Sequence, residues 1–149
     1  DHYFSHWHTY EAHPLTLAPA IASIKEMKRL DLMNRATEVG AYLGKKLHEL
    51  KPKHKSIGDV RGIGMFWAVE LVKNQKTKEP FNSYKDKISG TPLLVDKVTA
   101  EMMKNGVFLQ AWVSHFVIAP PLIISKEDID LGVAALDAAL VIADAEAEG

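Results

Sequence analysis

Val60-Arg61-Gly62-Ile63-Gly64-Met65-Phe66-Trp67-Ala68-Val69-Glu70-Leu71-Val72 is the stretch whose reading decides the fold. Its β-branched and aromatic residues suit a pleated, half-buried surface. The pattern predicts a strand over 60–72, with Gly62 and Gly64 marking a bulge or the close approach of another backbone. Helical patterns flank it. Upstream, Asp31 can cap a helix in which Leu32, Ala36, Val39, Leu43, Leu47 and Leu50 recur at steps of three and four. The basic, Pro-containing stretch 51–55 ends it. Further upstream, 14–30 reads as a helix with Leu15, Leu17, Ile21, Ile24 and Met27 near helical spacing. Pro14 suits its first turn, whereas Pro19 should kink it or delay its start to about residue 18.

Downstream of the strand, 73–90 is polar and turn-rich and reads as an exposed excursion. Thr91-Pro92 opens a third helix carrying Leu94, Val95, Val98 and Met102, stopped by Asn105-Gly106. Two short strands are expected over 107–113 and 115–119, broken around Ser114. Pro120-Pro121 keeps a helix from starting there. Ser125 with Asp128 resembles a capping box for a last helix burying Ile129, Val133, Leu136, Leu140 and Ala143. Helices alternating with about three strands give an α/β arrangement.

Composition narrows the function classes. The 149 residues are 47% hydrophobic and 25% charged, a globular balance. Eighteen basic against nineteen acidic side chains leave no bias toward nucleic acid. Without cysteine there is no disulfide framework, thiolate nucleophile or Cys-type zinc site. The longest stretch free of Asp, Glu, Lys and Arg, 105–125, holds Gln110, Ser114, His115 and the proline pair, and does not read as a membrane span. These features fit a protein of a reducing, cytoplasmic compartment. The dense opening run without an initiator Met is expected of a piece of a longer polypeptide, and a processed mature chain would look the same.

Few residues carry a chemical signal by themselves. His2, His6, His8 and His13 cluster near the start, but no third or acidic ligand falls in register with His6 and His8, so packing histidines are expected and no metal site. Arg61-Gly62-Ile63-Gly64 lacks the third glycine of a dinucleotide loop and the GK[ST] of a P-loop, and leads into a strand. Trp67 and Trp112 are expected in the core or an interface. The acidic run 144–148 reads as a solvated helix end. Thr9 is of more interest: a hydroxyl and backbone N–H groups ahead of a helix N-terminus can cradle an anion. The competing reading is a threonine bonding its own backbone.

Read together, the segments resemble a known family. Phe4-Ser5-His6-Trp7-His8-Thr9-Tyr10-Glu11-Ala12-His13-Pro14 is similar to the F-x-H-G-x-T-Y-x-x-H-P segment of class III aminotransferases, which depend on pyridoxal phosphate (PLP). Val60-Arg61-Gly62-Ile63-Gly64-Met65 with Glu70-Leu71-Val72 resembles the family's V-R-G-x-G-(M/L)…E-L. Gly106-Val107 followed by Ala119-Pro120-Pro121-Leu122-Ile123-Ile124 resembles its G-(V/L)…P-P-L-(I/V)-(I/V). The order agrees through essentially the whole chain.

The resemblance implies the C-terminal part of a fold-type I PLP enzyme. Residues 1–30 would be the edge of its large domain, and 31–149 its small C-terminal domain, a short, mostly antiparallel sheet packed with helices. It also implies a homodimer in which Thr9, helped by the N–H of Thr9 or His8, binds the cofactor phosphate of the partner subunit. The other partners would be the chain's own large domain, an amine and a keto acid, with neither nucleic acid nor membrane. The lysine that carries PLP lies upstream of the H-x-T-Y segment in the family. The chain alone is therefore expected to be inactive, with no catalytic residue of its own. Some family members that act on α-carboxylates place an arginine where Val117 stands, so the resemblance points to an ω-amine or ω-amino acid donor and an acceptor such as pyruvate. Trp7 departs from the family's usual glycine. Separated from a large domain, Leu15, Leu17, Ile21 and Ile24 are expected to be exposed and to promote self-association. The alternative is a non-catalytic α/β binding or assembly domain on the same scaffold.

Overall fold

The hairpin that begins the sheet follows from one backbone angle. In the computed structural model, which describes residues 3–148, Gly64 has φ 54° while Met65 does not have a positive φ. Positive φ at only the first of two turn residues is the requirement of a type II′ hairpin turn. The single strand expected over 60–72 is therefore two: β1 (Ile57–Ile63) and β2 (Phe66–Asn74), antiparallel and paired from Ile63–Phe66 back to Ile57–Leu71. The continuous apolar run masked the turn, because Met65 is as compatible with a strand as with a hairpin tip.

The described chain divides into two compact units at Asn34 and Arg35. In the first, residues 3–8 have no regular structure, 9–12 form a turn, and α1 (Pro14–Arg29) follows. His13 is its N-cap, its Nδ1 accepting the Leu15 N–H at 3.3 Å. Pro14 takes the first-turn position as expected, but Pro19 does not delay the start and lies inside the helix. Asp31 closes the helix corner with φ 49°, a left-handed conformation that aspartate tolerates. Its carboxylate takes the Asn34 side-chain amide at 2.9 and 3.0 Å. No α1 residue is buried, and Leu15, Ile21 and Ile24 are exposed by 80%, 54% and 54%.

In the second unit the sheet order is β1-β2-β5-β4, all antiparallel, with short β3 (Glu79–Pro80) also on β2. β4 (Gln110–Trp112) and β5 (His115–Ile118) are shorter than expected, joined across Val113-Ser114. The core joins Val39, Leu43 and Leu47 of α2 (Leu32–Leu50) to Val60, Val69 and Phe116 of the sheet. It continues into Val95, Val98 and Met102 of the helix over Leu94–Lys104, and Leu136 and Leu140 of the last helix, Lys126–Glu146. Between β3 and the former lies one turn of helix that the excursion reading missed. It is α3 (Tyr84–Ser89), capped by a Ser83–Asp86 capping box and ended by Gly90 at φ 75°. The two later helices are α4 (Leu94–Lys104) and α5 (Lys126–Glu146), the latter capped by Ser125 as the sequence suggests. Among the described residues no helix is long and apolar enough to cross a membrane.

α2 lies against the hairpin because two of its residues have no side chain. A Cβ on Gly40 would sit 2.2 Å from the Gly64 carbonyl oxygen, and one on Gly44 would sit 2.1 Å from the Trp67 ring. Trp67 fills that gap: it abuts Gly62 as well, its indole N–H donates to the Gly64 carbonyl at 2.8 Å, and His48 meets its ring edge-on. Trp112, by contrast, is half exposed beneath the Lys87 ammonium, 3.3 Å from the ring centroid.

Two polar ties cross the unit. Arg35 donates to the Leu122, Ile123 and Ile124 carbonyls at 3.0, 3.2 and 2.5 Å, fixing the chain after Pro120-Pro121 to α2. Asp144 is not at a solvated helix end: its carboxylate receives the Ser56 N–H and Oγ at 3.0 and 2.6 Å and faces the ring of buried His54. Glu146 and Glu148 of the same run pair with Lys97 and Lys73. The run looks solvated in sequence because its partners lie far away along the chain.

The packing makes two expectations. Gly44→Ala forces a methyl into the Trp67 ring and lowers stability by about 1–3 kcal/mol, read as a lower urea midpoint. Arg35→Met leaves three carbonyls without their donor and costs about 1–3 kcal/mol in the same titration.

Candidate functional site

The residues singled out for function fall in different units, and each group is described by itself. In the first unit, Thr9 begins the 9–12 turn, four residues ahead of the α1 N-cap instead of immediately before it. The turn is closed by the Glu11 N–H on the His8 carbonyl at 3.1 Å and passes through Ala12 at φ 59°, a strained angle for a residue with a Cβ. It is tied to the helix by the Thr16 hydroxyl, shared between the Tyr10 and His13 carbonyls at 3.1 and 2.9 Å. Thr9 is exposed, and among the described residues neither its hydroxyl nor its N–H has a hydrogen-bond partner. It does not bond its own backbone, so the competing reading of Thr9 does not describe this structure.

His8 is less available. Its N–H donates to the Glu11 carboxylate at 3.1 Å, so of the two candidate helper amides only that of Thr9 is unengaged. The His8 ring meets His6 edge-to-face at 4.6 Å centroid separation, and His6 in turn meets Phe4. Of the four early histidines, His2 lies outside the described residues. Among the described residues, no three His, Cys, Asp or Glu groups are gathered to hold a metal. Tyr3, Phe4, Trp7 and Tyr10 are all largely exposed.

The donor chemistry at Thr9 fits one edge of a phosphate. A free hydroxyl and a free amide next to each other offer two hydrogen bonds to an anion. Two donors do not complete a phosphate cradle, and the nearby Glu11 carboxylate requires that other cationic or N–H groups share the anion.

In the second unit, Val117 stands on the middle of β5, where strand alternation puts it opposite buried Phe116. Cross-strand register gives it Ala68 on one side and Gln110 on the other, and Ala68 in turn pairs with Arg61. Arg61, Ala68, Val117 and Gln110 thus form one row across four strands, on the sheet face turned away from the core residues Val60, Val69 and Phe116. Arg61 is the only cation in that row, and it is occupied. Its guanidinium holds Glu70 at 2.6 Å and Asp59 at 3.0 Å. The bond from Arg61 keeps the Asp59 carboxyl below the usual carboxylate range, while Glu70 and Asp59 raise the guanidinium further. The row therefore presents a half-buried apolar patch, Ala68 and Val117, and no free guanidinium. A groove of about 1220 Å³ borders the same strand end, lined by Val107, Leu109, Ile118 and Pro120 together with Ile129 and Leu136 of α5.

The sequence singled out Thr9, His8 and Val117 and did not reveal the Arg61–Asp59–Glu70 network. The signal for that network was present, since Glu70 pairs with Asp59 across the hairpin and lies diagonal to Arg61, but it requires the turn at Gly64 to be recognised first.

Comparison with known proteins agrees with this architecture. Residues 2–140 match the class-III aminotransferase family. The chain is 39% identical over 137 residues to an uncharacterized aminotransferase of Schizosaccharomyces pombe, covering 86% of this chain and 28% of that protein. It is 35% identical over 128 residues to a putrescine–pyruvate aminotransferase of Pseudomonas aeruginosa, covering 85% of this chain and 26% of that protein. Its fold is similar, with a TM-score of 0.80 and 29% identity, to a PLP-bound amine transaminase from an uncultivated Pseudomonas species, over 91% of this chain and 29% of that one. The chain thus spans little more than a quarter of its relatives' length. Its mixed helices and antiparallel sheet are those of a fold-type I transaminase, and the chain belongs to the class III aminotransferase family.

Proposed function

We propose that the chain is the C-terminal part of a PLP-dependent aminotransferase that moves an amino group from an ω-amine or ω-amino acid to a keto acid such as pyruvate. One observation carries the donor class: Val117 puts an isopropyl group in the row across the sheet face, and Arg61, the only guanidinium in that row, is already held by Asp59 and Glu70. A substrate α-carboxylate is bound best by a bidentate guanidinium, which this face does not offer. The likeness to a putrescine–pyruvate aminotransferase supports the same donor class.

In this reading residues 1–30 belong to the edge of the large domain and 31–149 form the small domain. PLP, when bound, supplies an electron sink for the carbanion formed at the amine-bearing carbon. The residues of this chain bind and shape. The Thr9 hydroxyl and N–H donate to the coenzyme phosphate of the partner subunit in a homodimer. His8, whose N–H is held by Glu11 in this conformation, supports the turn that presents Thr9. Val117 and Ala68 give an apolar wall that accepts the methylene chain of a long amine and keeps water from it. None of the fifteen lysines lies in a motif matching the family's PLP-bearing lysine, so the isolated chain is inactive. The exposed apolar side of α1 is the part that the large domain covers, and the isolated chain self-associates through it. A cytoplasmic location is the simplest setting for this chemistry.

The test uses the complete gene product. With pyruvate as acceptor, terminal diamines and β-alanine-like donors are turned over better than α-amino acids, and Val117→Arg improves α-amino acid donors at the expense of diamines. Superior turnover of ordinary α-amino acids by the unaltered enzyme would refute the donor assignment. Thr9→Val weakens PLP binding by roughly tenfold or more, as loss of a hydrogen bond to a charged group does, read by titrating the visible absorption of the bound coenzyme. Unchanged PLP affinity in that variant removes Thr9 from the phosphate site.

A further inference from the structure

The segment between α2 and β1 carries a buried titratable group that has no part in the function proposed above. His54 is 5% exposed and lies between two carboxylates of α5. Its Nδ1 is 2.6 Å from Asp144 Oδ2 and its Nε2 is 2.7 Å from Asp137 Oδ1. An ionised carboxylate only accepts hydrogen bonds, and a neutral imidazole has only one N–H to donate. Two short contacts to two carboxylates are satisfied together only when both ring nitrogens carry hydrogen.

We infer that His54 is a charged clasp, an imidazolium that pins the C-terminal end of α5 to the α2–β1 connection and lets go when it loses its proton.

The surroundings explain why a cation is needed there. α5 ends with Asp144 and Glu146 in its last turns and no basic residue in its last turn. Negative charge at a helix C-terminus opposes the helix dipole. The compensating cations come from other segments: His54 to Asp137 and Asp144, Lys97 to Glu146 at 2.8 Å, Lys73 to Glu148 at 3.0 Å, and Lys55 to the Ala147 carbonyl at 2.8 Å.

The charged groups that face the ring are Asp137 and Asp144 from α5, and Lys53 and Lys55 from its own segment. Lys53 reaches Asp137 at 3.3 Å, and Lys51, which lines the same shallow cleft, is paired with Asp59. From the turn after β2 the neighbour is uncharged, the Gln75 amide donating to the His54 carbonyl at 3.3 Å.

Both carboxylates stay ionised well into acid. The bond from His54 lowers Asp137 against the opposing effect of burial. For Asp144, burial pushes upward, and the bonds from Ser56 and His54 outweigh it. A depressed carboxylate contributes stability above its unfolded value and loses it as pH falls through the folded one. The clasp is therefore closed in a window bounded below by protonation of these aspartates. Loss of the imidazolium proton bounds it above. Past that upper limit one carboxylate oxygen faces a bare ring nitrogen. Loss from Nδ1 leaves Asp144 with Ser56, loss from Nε2 leaves Asp137 with Lys53, and the end of α5 is held by Lys55 and by the Glu148 N–H on the Lys73 carbonyl at 2.7 Å.

The test is made on the complete gene product that carries these residues and has two readouts. At about pH 7, nitrogen-resolved ring spectra show hydrogen on both His54 nitrogens. Amide-exchange protection over residues 139–147, corrected for the chemical exchange rate, falls roughly tenfold as the pH is raised until the ring spectra show that one ring hydrogen has left. His54→Gln, which has a single amide to donate, removes that pH dependence. A His54 ring with one bare nitrogen at about pH 7 overturns the clasp, as does protection that is level across the range in the unaltered chain. Should the glutamine variant fail to fold, the two measurements on the unaltered chain decide.

Discussion

The structure depends on the approach of α2 to the β1–β2 hairpin, an approach set by absent side chains. Gly40 and Gly44 lie one turn apart on α2, and Gly62 and Gly64 sit opposite on the hairpin. At each of Gly40, Gly44 and Gly62 a single added carbon would meet backbone or ring atoms at 2.4 Å or less, well inside van der Waals contact. Trp67 fills the gaps at Gly44 and Gly62 with one large ring, and the Gly64 carbonyl fills the one at Gly40. Because β2 is flanked by β1 and β5, the placement of this hairpin also fixes the position of β5 and the row that contains Val117.

Much of the fold was legible in the sequence because helical periodicity and capping are local. The long helices over 32–50 and 126–146 announce themselves by apolar spacing and by Ser125. The hairpin was not legible, since its turn lacks the Asn-Gly or Asp-Gly signature and the apolar run continues through Met65. Of the two effects expected of Pro19, the delayed start does not occur: α1 starts at Pro14 and includes it. Helix α3 could have been found from Ser83 and Asp86, a capping pair within a stretch dismissed as polar loop.

The candidate site was legible unevenly for a physical reason. Thr9 and Val117 stand out only through the order of three motifs along the chain. The structure adds what order cannot: Thr9 has two unengaged donors, the His8 amide is taken by Glu11, and Arg61 is paired twice. The acidic end of α5 shows the same limit from the other side. Asp144 and His54 are 90 residues apart along the chain, so no local pattern links a charge run at one place to a basic loop at the other.

The row Arg61–Ala68–Val117–Gln110 has a consequence for how such a protein diversifies. Its members come from four strands separated by loops, yet they are lateral neighbours, so a change in bulk at any one alters the contour seen by the others. Exchanging Ala68 for a larger residue would reshape the surface beside Val117 without touching the strand that bears it. Descendants of one ancestor can thus drift in the shape of this wall by substitutions far apart in sequence, while the glycine contacts on the opposite face keep the sheet in place.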